Sequence, residues 1–428
     1  MLDLNIKLEK SGGYKVFLPL QRTMKLLFLT PQLPYPPKQG TALRNWGLIS
    51  HLSQRHEVWL LSFDDTDKVD PLLQTTCQHI ATFPTPHRTK ADRLRTLLTS
   101  TMPDMGWRLW SPNFAAQLNH WVTTQNFDII QIEGIELARY ALHSPLVTRH
   151  SSLVFDDHNC EYLMQQRWFE RDIKNPKRWH AAAYSFVQWR RLIQLERSII
   201  RKAQATLCVS LQDRASIQHL DPTTQPHVIL NGIDVAAYQT QPITNNPLTN
   251  QPALVFTGKM DFRPNIDAML WFAHEVWPKV KQAHPDAKLL IVGQKPSARL
   301  DELRSDPNIV LTGEVDDIRP HIAQASVYIA PLRIGSGTRF KLLEAMALRK
   351  AIVSTTLGCE GFDVTSGREM IIADAPSHFA QAVNTLLSDE AQRQRMGEAA
   401  HQFVSATYDW GAIVPKLETV YEALRRNS

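Results

Sequence analysis

Short apolar runs alternate with helical stretches along almost the whole chain, and this rhythm leaves few folds open. In the first half the runs are Lys25–Thr30, 56–63, 127–133, 152–156 and 205–210. In the second half the pattern returns at 253–258, 287–293, Ile309–Gly313, 326–330, 351–355 and 370–373. Runs that are apolar at successive positions predict strands buried on both faces, and helices between them predict parallel strands joined by crossovers. The fold class is therefore α/β, with doubly wound parallel sheets. A chain of 428 residues with 43% hydrophobic content is too long for one core, so two domains are expected. The Pro-, Thr-, Asn- and Gln-rich segments 221–226 and 239–252 mark the junction between them. This gives an extension at 1–23 before Met24, a first domain at 24–226, a second at 227–407, and a helix at 408–428 that packs back on the first domain. Sheets of this kind bind ligands at the C-terminal ends of their strands, which places the cleft between the two domains.

Composition narrows the function classes. The net charge of +5 is mildly basic, compatible with anionic substrates or an acidic membrane surface and short of a nucleic-acid signature. Cys77, Cys160, Cys208 and Cys359 are scattered without metal-ligand spacing, as in a cytoplasmic protein with reduced thiols. No apolar run is long enough to span a bilayer, so any membrane contact is peripheral. The stretch 174–202 has two readings. It interleaves Trp179, Phe186 and Trp189 with Arg190, Arg191 and Arg197, which is the composition of an interfacial helix and equally that of a long helix packed on the first domain. The acidic triplet Asp65-Thr-Asp67 follows a strand of the first half and reads as a solvated loop, away from the second half's glycine turn.

That turn is the most informative stretch for function. A buried strand at 326–330 leads through Gly335-Ser-Gly337 into a helix whose Leu342, Leu343, Met346 and Leu348 recur at helical spacing. Free N–H groups at such a helix start attract anions, and Arg339 and Lys341 add positive charge to the same turn, so a phosphate is the natural guest. Glu344 lies too far into the helix to meet the phosphates, but it can accept hydrogen bonds from neighbouring hydroxyls. The alternative is an ordinary helix start with Lys341 and Glu344 as a surface pair.

Further motifs follow other strands: Asp157-His-Asn-Cys-Glu161, Asn231-Gly-Ile-Asp234, Thr257-Gly-Lys-Met-Asp261 and Pro264-Asn-Ile-Asp267. Together with Gly337-Thr-Arg-Phe-Lys-Leu-Leu-Glu-Ala-Met-Ala347, they make the chain resemble the retaining family 4 glycosyltransferases, from Met24 to Leu424. The nearest likeness is to sugar transferases associated with exosortase-type exopolysaccharide systems. The resemblance implies a GT-B fold, two Rossmann-like domains facing across a cleft. It implies a nucleoside-diphosphate sugar as donor substrate, a glycan or lipid-linked acceptor, and neither metal nor cofactor. Glu344 resembles the family's ribose-binding carboxylate, and Gly337, Thr338, Arg339, Phe340 and Lys341 resemble its diphosphate cradle. Gly40 resembles the glycine of the loop that approaches the donor phosphates. His158 resembles the cleft histidine near the reacting sugar. Glu133 ends a strand and is either a further cleft residue or a loop charge, and Asn159 and Glu161 could equally cap the helix after them.

Two positions depart from the family's pattern. The glutamate expected eight residues before the ribose one is Ser336 here. After the first strand of the second domain, Lys259 takes the place of the family's arginine, Pro264 that of its lysine, and Arg263 stands one residue earlier. Lys259 and Arg263 are donor-binding candidates. A nucleotide-sugar epimerase of the same fold and a non-catalytic nucleotide-sugar or glycan-binding protein are the rival readings.

Overall fold

A computed structural model describes residues 23–37, 40–66, 68–143, 151–238, 251–334 and 339–426. Two parallel sheets organise it. The first comprises β1 (Lys25–Thr30), β2 (Glu57–Phe63), β3 (His79–Phe83), β4 (Ile129–Glu133), β5 (Ser152–Asp157), β6 (Ala205–Cys208) and β7 (His227–Val228), in the order β3-β2-β1-β4-β5-β6-β7. The second comprises β8 (Ala253–Thr257), β9 (Lys288–Val292), β10 (Ile309–Gly313), β11 (Val327–Ala330), β12 (Ala351–Ser354) and β13 (Ile371–Ile372), in the order β10-β9-β8-β11-β12-β13. Each sheet reverses its winding once, between β1 and β4 and between β8 and β11, and a crevice opens at such a switch point.

Both faces of both sheets are covered, as successive apolar residues require. Leu27 and Leu29 join one core cluster, while their neighbours Leu26 and Phe28 join the cluster on the opposite face. Leu254 and Phe256 part from Ala253 and Val255 in the same way. β3 was not among the expected strands: its residues are only half buried at the sheet edge, so it lacks the continuous apolar run that marks the others. β7 extends the first sheet two residues beyond the expected junction at 226.

In the first helix, Gly40–Leu52, apolar spacing and burial do not coincide. Leu43, Trp46, Ile49 and Leu52 recur at helical spacing, yet Leu43 is 37% exposed and the buried face carries Arg44, Asn45, Leu48 and Ile49. Buried polar side chains, invisible to an apolar count, rotate that face. Between β8 and β9 the chain is helical from 263 to 283, in three pieces, Arg263–Trp271, a π-helical turn Phe272–Val276 and Trp277–Ala283. Pro278 has no N–H to donate within the last piece, consistent with the altered winding before it.

The C-terminal helix, Trp410–Arg426, lies on the first sheet. Its Ile413, Val414, Leu417 and Tyr421 share a cluster with Leu26, Phe28 and Leu48. Trp410 packs where Gly47 and Gly232 leave room, and a Cβ at Gly47 would lie 1.9 Å from the indole. The chain therefore passes between domains twice, through residues 229–234 and again before Trp410, side by side: Ile233 bridges Asp409, and Asp409 Oδ2 accepts from Val235 N at 3.0 Å.

Candidate active site

On the first sheet, the site grows from the ends of β4 and β5. Glu133 is the last residue of β4 and fully buried, so it is no loop charge. Its Oε2 lies 2.7 Å from His158 Nε2 and its Oε1 accepts from Gln131 Nε2 at 2.6 Å. Asn45, its amide oriented by the hydrogen-bond network, donates to Oε2 at 2.8 Å. Asp156, fully buried beside them, accepts from Arg44 Nε at 2.9 Å and Nη2 at 3.1 Å. Arg44 Nη1 reaches the interdomain segment, donating to Ile229 O at 2.9 Å, Leu230 O at 3.1 Å and Asn231 Oδ1 at 3.1 Å. Gln131 in turn accepts from the Tyr421 hydroxyl on the C-terminal helix. The first passage between the domains, and the C-terminal helix that follows the second, are thus hydrogen-bonded into the cluster that holds His158.

The electrostatics follow from burial and partners. Burial alone pulls His158 down, but its hydrogen bond to Glu133 and the charges of Asp156 and Glu133 outweigh that, and its basicity ends above the ordinary value. Burial, then the Asp156 charge, push Glu133 up, and His158 and Arg44 oppose them. With Nε2 committed to Glu133, Nδ1 is the nitrogen left for the cleft, and in the imidazolium it is a donor. Glu133, Asp156 and His158 place ligand-type atoms within 4.8 Å of one another. Arg44 already sets a full positive charge against Asp156 there, which is the role a cation would have.

The Asn159 and Glu161 capping alternative does not occur. The helix Glu161–Asp172 starts at Cys160 without a side-chain cap of its own, and Glu196 from the long helix Trp179–Lys202 accepts from Tyr162 N at 2.9 Å. Burial pushes Glu161 up to about 7.

On the second sheet, the helix Phe340–Ala347 follows β11 and buries Leu342, Leu343, Ala345 and Met346. This leaves Lys341 and Glu344 on its remaining face, but not as a surface pair. Lys341 Nζ donates to Asn265 Oδ1 at 2.8 Å and sits 4.1 Å over the Phe256 ring. Gly258, at the end of β8, makes this possible: a Cβ there would lie 2.7 Å from Asn265 Nδ2 and 2.9 Å from Lys341 Nζ. Glu344 Oε1 accepts from the Tyr238 hydroxyl at 3.1 Å. Burial pulls Lys341 down to about 7, against the raising effect of Glu344, and pushes Glu344 up to about 7. The full charge expected of Lys341 is therefore only partly present near neutral pH.

Arg339 stands at the helix start, 9% exposed, with Nη2 3.5 Å from Leu357 O. Phe340 is half buried against the core on the same side as Leu342. Arg263 is exposed at the start of the helix Arg263–Trp271. Lys259 is exposed too, 3.6 Å from Asp261. Gly40, exposed, begins the first helix, and a Cβ there would meet nothing within 4 Å. Gly337, Thr338 and Ser336 lie outside the described residues, as does Asp67. Asp65 accepts from Thr85 N at 2.8 Å in a loop of the first domain. A cleft of about 1230 Å³ opens at this edge of the first sheet, lined by Gln32, Tyr35, Asp64, Arg108 and Glu136 among others.

Sequence reasoning missed Arg44, Asn265, Tyr238 and Tyr421. Asn265 stood in a quoted motif and Asn231 in another, so position within the motifs was a usable signal for both. Arg44 and Tyr421 carried none, because each acts across a long stretch of sequence.

Comparisons with known proteins agree with this architecture domain by domain. Residues 39–237 match the family model described as Glycosyltransferase Family 4, and residues 251–389 match Glycosyl transferases group 1. The chain is 29% identical over 208 residues to phosphatidyl-myo-inositol mannosyltransferase of Mycolicibacterium smegmatis, covering 46% of this chain and 51% of that protein. It is 26% identical over 164 residues to an "uncharacterized 44.6 kDa protein in cps region" of Klebsiella pneumoniae, covering 36% and 42%. The chain thus spans about half the length of the curated relatives it matches. Among solved structures, sucrose-phosphate synthase from Thermosynechococcus elongatus superposes with a TM-score of 0.64 at 15% identity, over 94% of this chain and 100% of that one. HepE from Anabaena in complex with UDP superposes with a TM-score of 0.63 at 16% identity and the same coverage. Two doubly wound sheets with these likenesses form a GT-B fold, whose first domain matches the family 4 glycosyltransferase model and whose second matches the group 1 model.

Proposed function

We propose that the protein transfers a sugar from a nucleoside diphosphate to a hydroxyl of a glycan or lipid-linked acceptor, keeping the anomeric configuration. The observation that carries this reading is the half-buried Lys341 and Glu344 on the helix after β11. A lysine depressed by burial regains its charge when an anion arrives, and a half-buried carboxylate above a tyrosine is suited to a ribose diol. HepE was solved with UDP-glucose, on the same fold, and relatives include a mannosyltransferase and a glycogen synthase.

The chemistry balances without a covalent enzyme intermediate. The bond from sugar C1 to the diphosphate oxygen breaks, the acceptor oxygen bonds to C1 on the same face, and the acceptor proton passes to the departing phosphate. Negative charge grows on the diphosphate as it leaves, so Lys341, Arg339 and the helix N–H groups stabilise the transition state more than the ground state. Those cations stand in for a metal. His158, its Nε2 held by Glu133, presents Nδ1 to the reacting sugar. The cleft beside Gln32, Asp64 and Arg108, with its mixed polar lining, is the acceptor's side. The exopolysaccharide setting rests on the motif resemblance.

A thermal-shift panel of nucleotide sugars identifies the donor, because a ligand bound only to the native state raises its stability. NMR of the product with an acceptor present then gives the anomeric configuration, with activity expected to survive excess chelator. Product formed from the donor with no acceptor would make the protein an epimerase. A donor left wholly intact, with no slow hydrolysis, would make it a binding protein.

A further inference from the structure

The first domain carries an apolar and basic surface that its fold does not use. The helix Lys90–Thr99 buries none of its residues, although its start is fixed by a capping box between Thr89 and Asp92. Leu94, Leu97 and Leu98 fall on one stripe of it at i, i+3 and i+4, and Leu94 is 58% and Leu98 76% exposed. An amphipathic helix normally gains its stability by packing that stripe. This helix is tied to the long helix Trp179–Lys202 through one side chain, Arg191, whose Nη2 donates to Leu97 O at 2.7 Å.

Exposed apolar side chains recur on the hairpin formed by the helices Glu161–Asp172 and Trp179–Lys202, toward its tip. Trp168 is 49% exposed, Ile173 46%, Trp179 59% and Phe186 44%. Trp179 Nε1 donates to Ile173 O at 3.2 Å, which fixes the indole at the tip. Exposed cations surround these rings: Lys90 and Arg95 on the short helix, Arg167, Lys174 and Lys177 on the hairpin. Asp172, the acidic residue nearest the tip, is buried and engaged by Arg171 and Arg178. The remainder of the long helix takes the packed reading. Trp189 stacks on Phe169, Arg197 donates to Leu220 O, and Arg191 is bound to the short helix.

From this surface we infer a docking site for an anionic lipid bilayer. Exposed tryptophans and leucines ringed by lysines and arginines match an interface whose interior is apolar and whose headgroups are negative, and charge is what selects this occupant. The hairpin helix that starts at Glu161, three residues after His158, is 12 residues long. Its far end therefore lies roughly 18 Å from the cleft edge. The inference does not depend on glycosyl transfer.

The test is co-sedimentation of the full chain with phosphatidylglycerol vesicles and with phosphatidylcholine vesicles, at about 0.05 M and about 0.5 M salt. The protein is expected to pellet with the anionic vesicles at low salt and to be released by high salt. Lys174→Glu with Lys177→Glu, and separately Leu98→Asp with Trp179→Ala, should each lower vesicle affinity at least roughly tenfold, with circular dichroism and melting unchanged. All four positions are exposed, so the fold should tolerate the changes. No binding at low salt, or equal binding to both vesicle types, overturns the inference. So does a dimer in sedimentation velocity that Leu98→Asp dissociates, since that would make this face a contact between two copies of the chain.

Discussion

The cleft edges of the two sheets differ in how their charges are held. At the edge of the first, Arg44, Glu133, Asp156 and His158 are each hydrogen-bonded to another charged group, and the network runs on to the interdomain segment and to Tyr421. At the edge of the second, Lys341 and Glu344 are half-buried with neutral hydrogen-bond partners, Asn265 and Tyr238. Burial consequently moves the lower pair toward neutrality, while His158 keeps its proton against burial. The first edge is complete without a ligand. The second holds groups whose best partners would be a phosphate and a diol.

Removing a charge should therefore have opposite consequences at the two edges. Arg44→Met removes the only cation hydrogen-bonded to Asp156 among the described residues and leaves His158 3.9 Å away, a loss of about 3–5 kcal/mol, read as a lower urea midpoint. It also frees the 229–231 segment from the first helix. Lys341→Met should leave the midpoint unchanged or raised. The lysine is depressed in the folded state, so near pH 7 the unfolded chain keeps its proton more readily and the group opposes folding. Similar losses from both substitutions would break the comparison.

Next in size is ligand affinity. Lys341→Met and Glu344→Gln should each weaken UDP binding, measured by calorimetry, by roughly tenfold to a hundredfold, the range for a hydrogen bond to a charged group. Arg44→Met, tested where it remains folded, should change UDP affinity far less. Equal losses from Arg44→Met and Lys341→Met would mean that the two edges bind the donor as one unit.

The fold was legible because continuous apolar runs leave one architecture open, and even the edge strand β10 was found because Ile309, Val310 and Leu311 form such a run. β3 and β7 escaped because His79–Phe83 mixes polar with apolar residues and His227–Val228 is only two residues long. The second edge was legible as well, since Arg339, Lys341 and Glu344 are neighbours in sequence and stand at one helix, Phe340–Ala347, which follows β11. The first edge was legible at His158 and, as one of two readings, at Glu133. These two stand 25 residues apart, Arg44 is 112 residues from Asp156, and Tyr421 is 290 from Gln131. Such pairings depend on which strands lie adjacent, and a single sequence does not carry strand order. What was misjudged about Lys341 was its charge: burial depends on Phe256 and Gly258, which β8 brings beneath it.

Glu133 sharpens the account of the first edge. His158→Ala should lower turnover more than donor affinity, if Nδ1 serves the reacting sugar. Glu133→Gln removes the charge that raises His158, so the imidazolium persists to a lower pH than in the wild type. The alkaline limb of kcat against pH should move down by roughly one unit, with kcat near neutrality reduced several-fold. The same shift should appear in the histidine's NMR titration. An unshifted profile with a lowered melting temperature would reduce Glu133 to a structural group. Stability has a matching sign: the contribution from His158 is present at low pH and is lost as pH rises through its raised value.

The smallest expected effect is the pH dependence of UDP affinity, and it bears most directly on the second edge. Lys341, depressed to about 7, binds a diphosphate in its protonated form. Raising the pH from 7 to 8 cuts that form from about half to about a tenth, so affinity should fall roughly fivefold over that interval. Glu344, raised to about 7, accepts hydroxyls best as the carboxylate, so affinity should also decline below neutrality. The two limbs predict a maximum near pH 7. They also separate cleanly: Lys341→Met should flatten the alkaline limb and leave the acidic one, and Glu344→Gln should do the reverse. UDP's own phosphate titration contributes to the acidic limb in every variant, so the alkaline limb is the decisive one. A wild-type affinity flat from pH 7 to 9 would mean that Lys341 is solvated enough to stay charged. The second edge would then be as well provided for as the first.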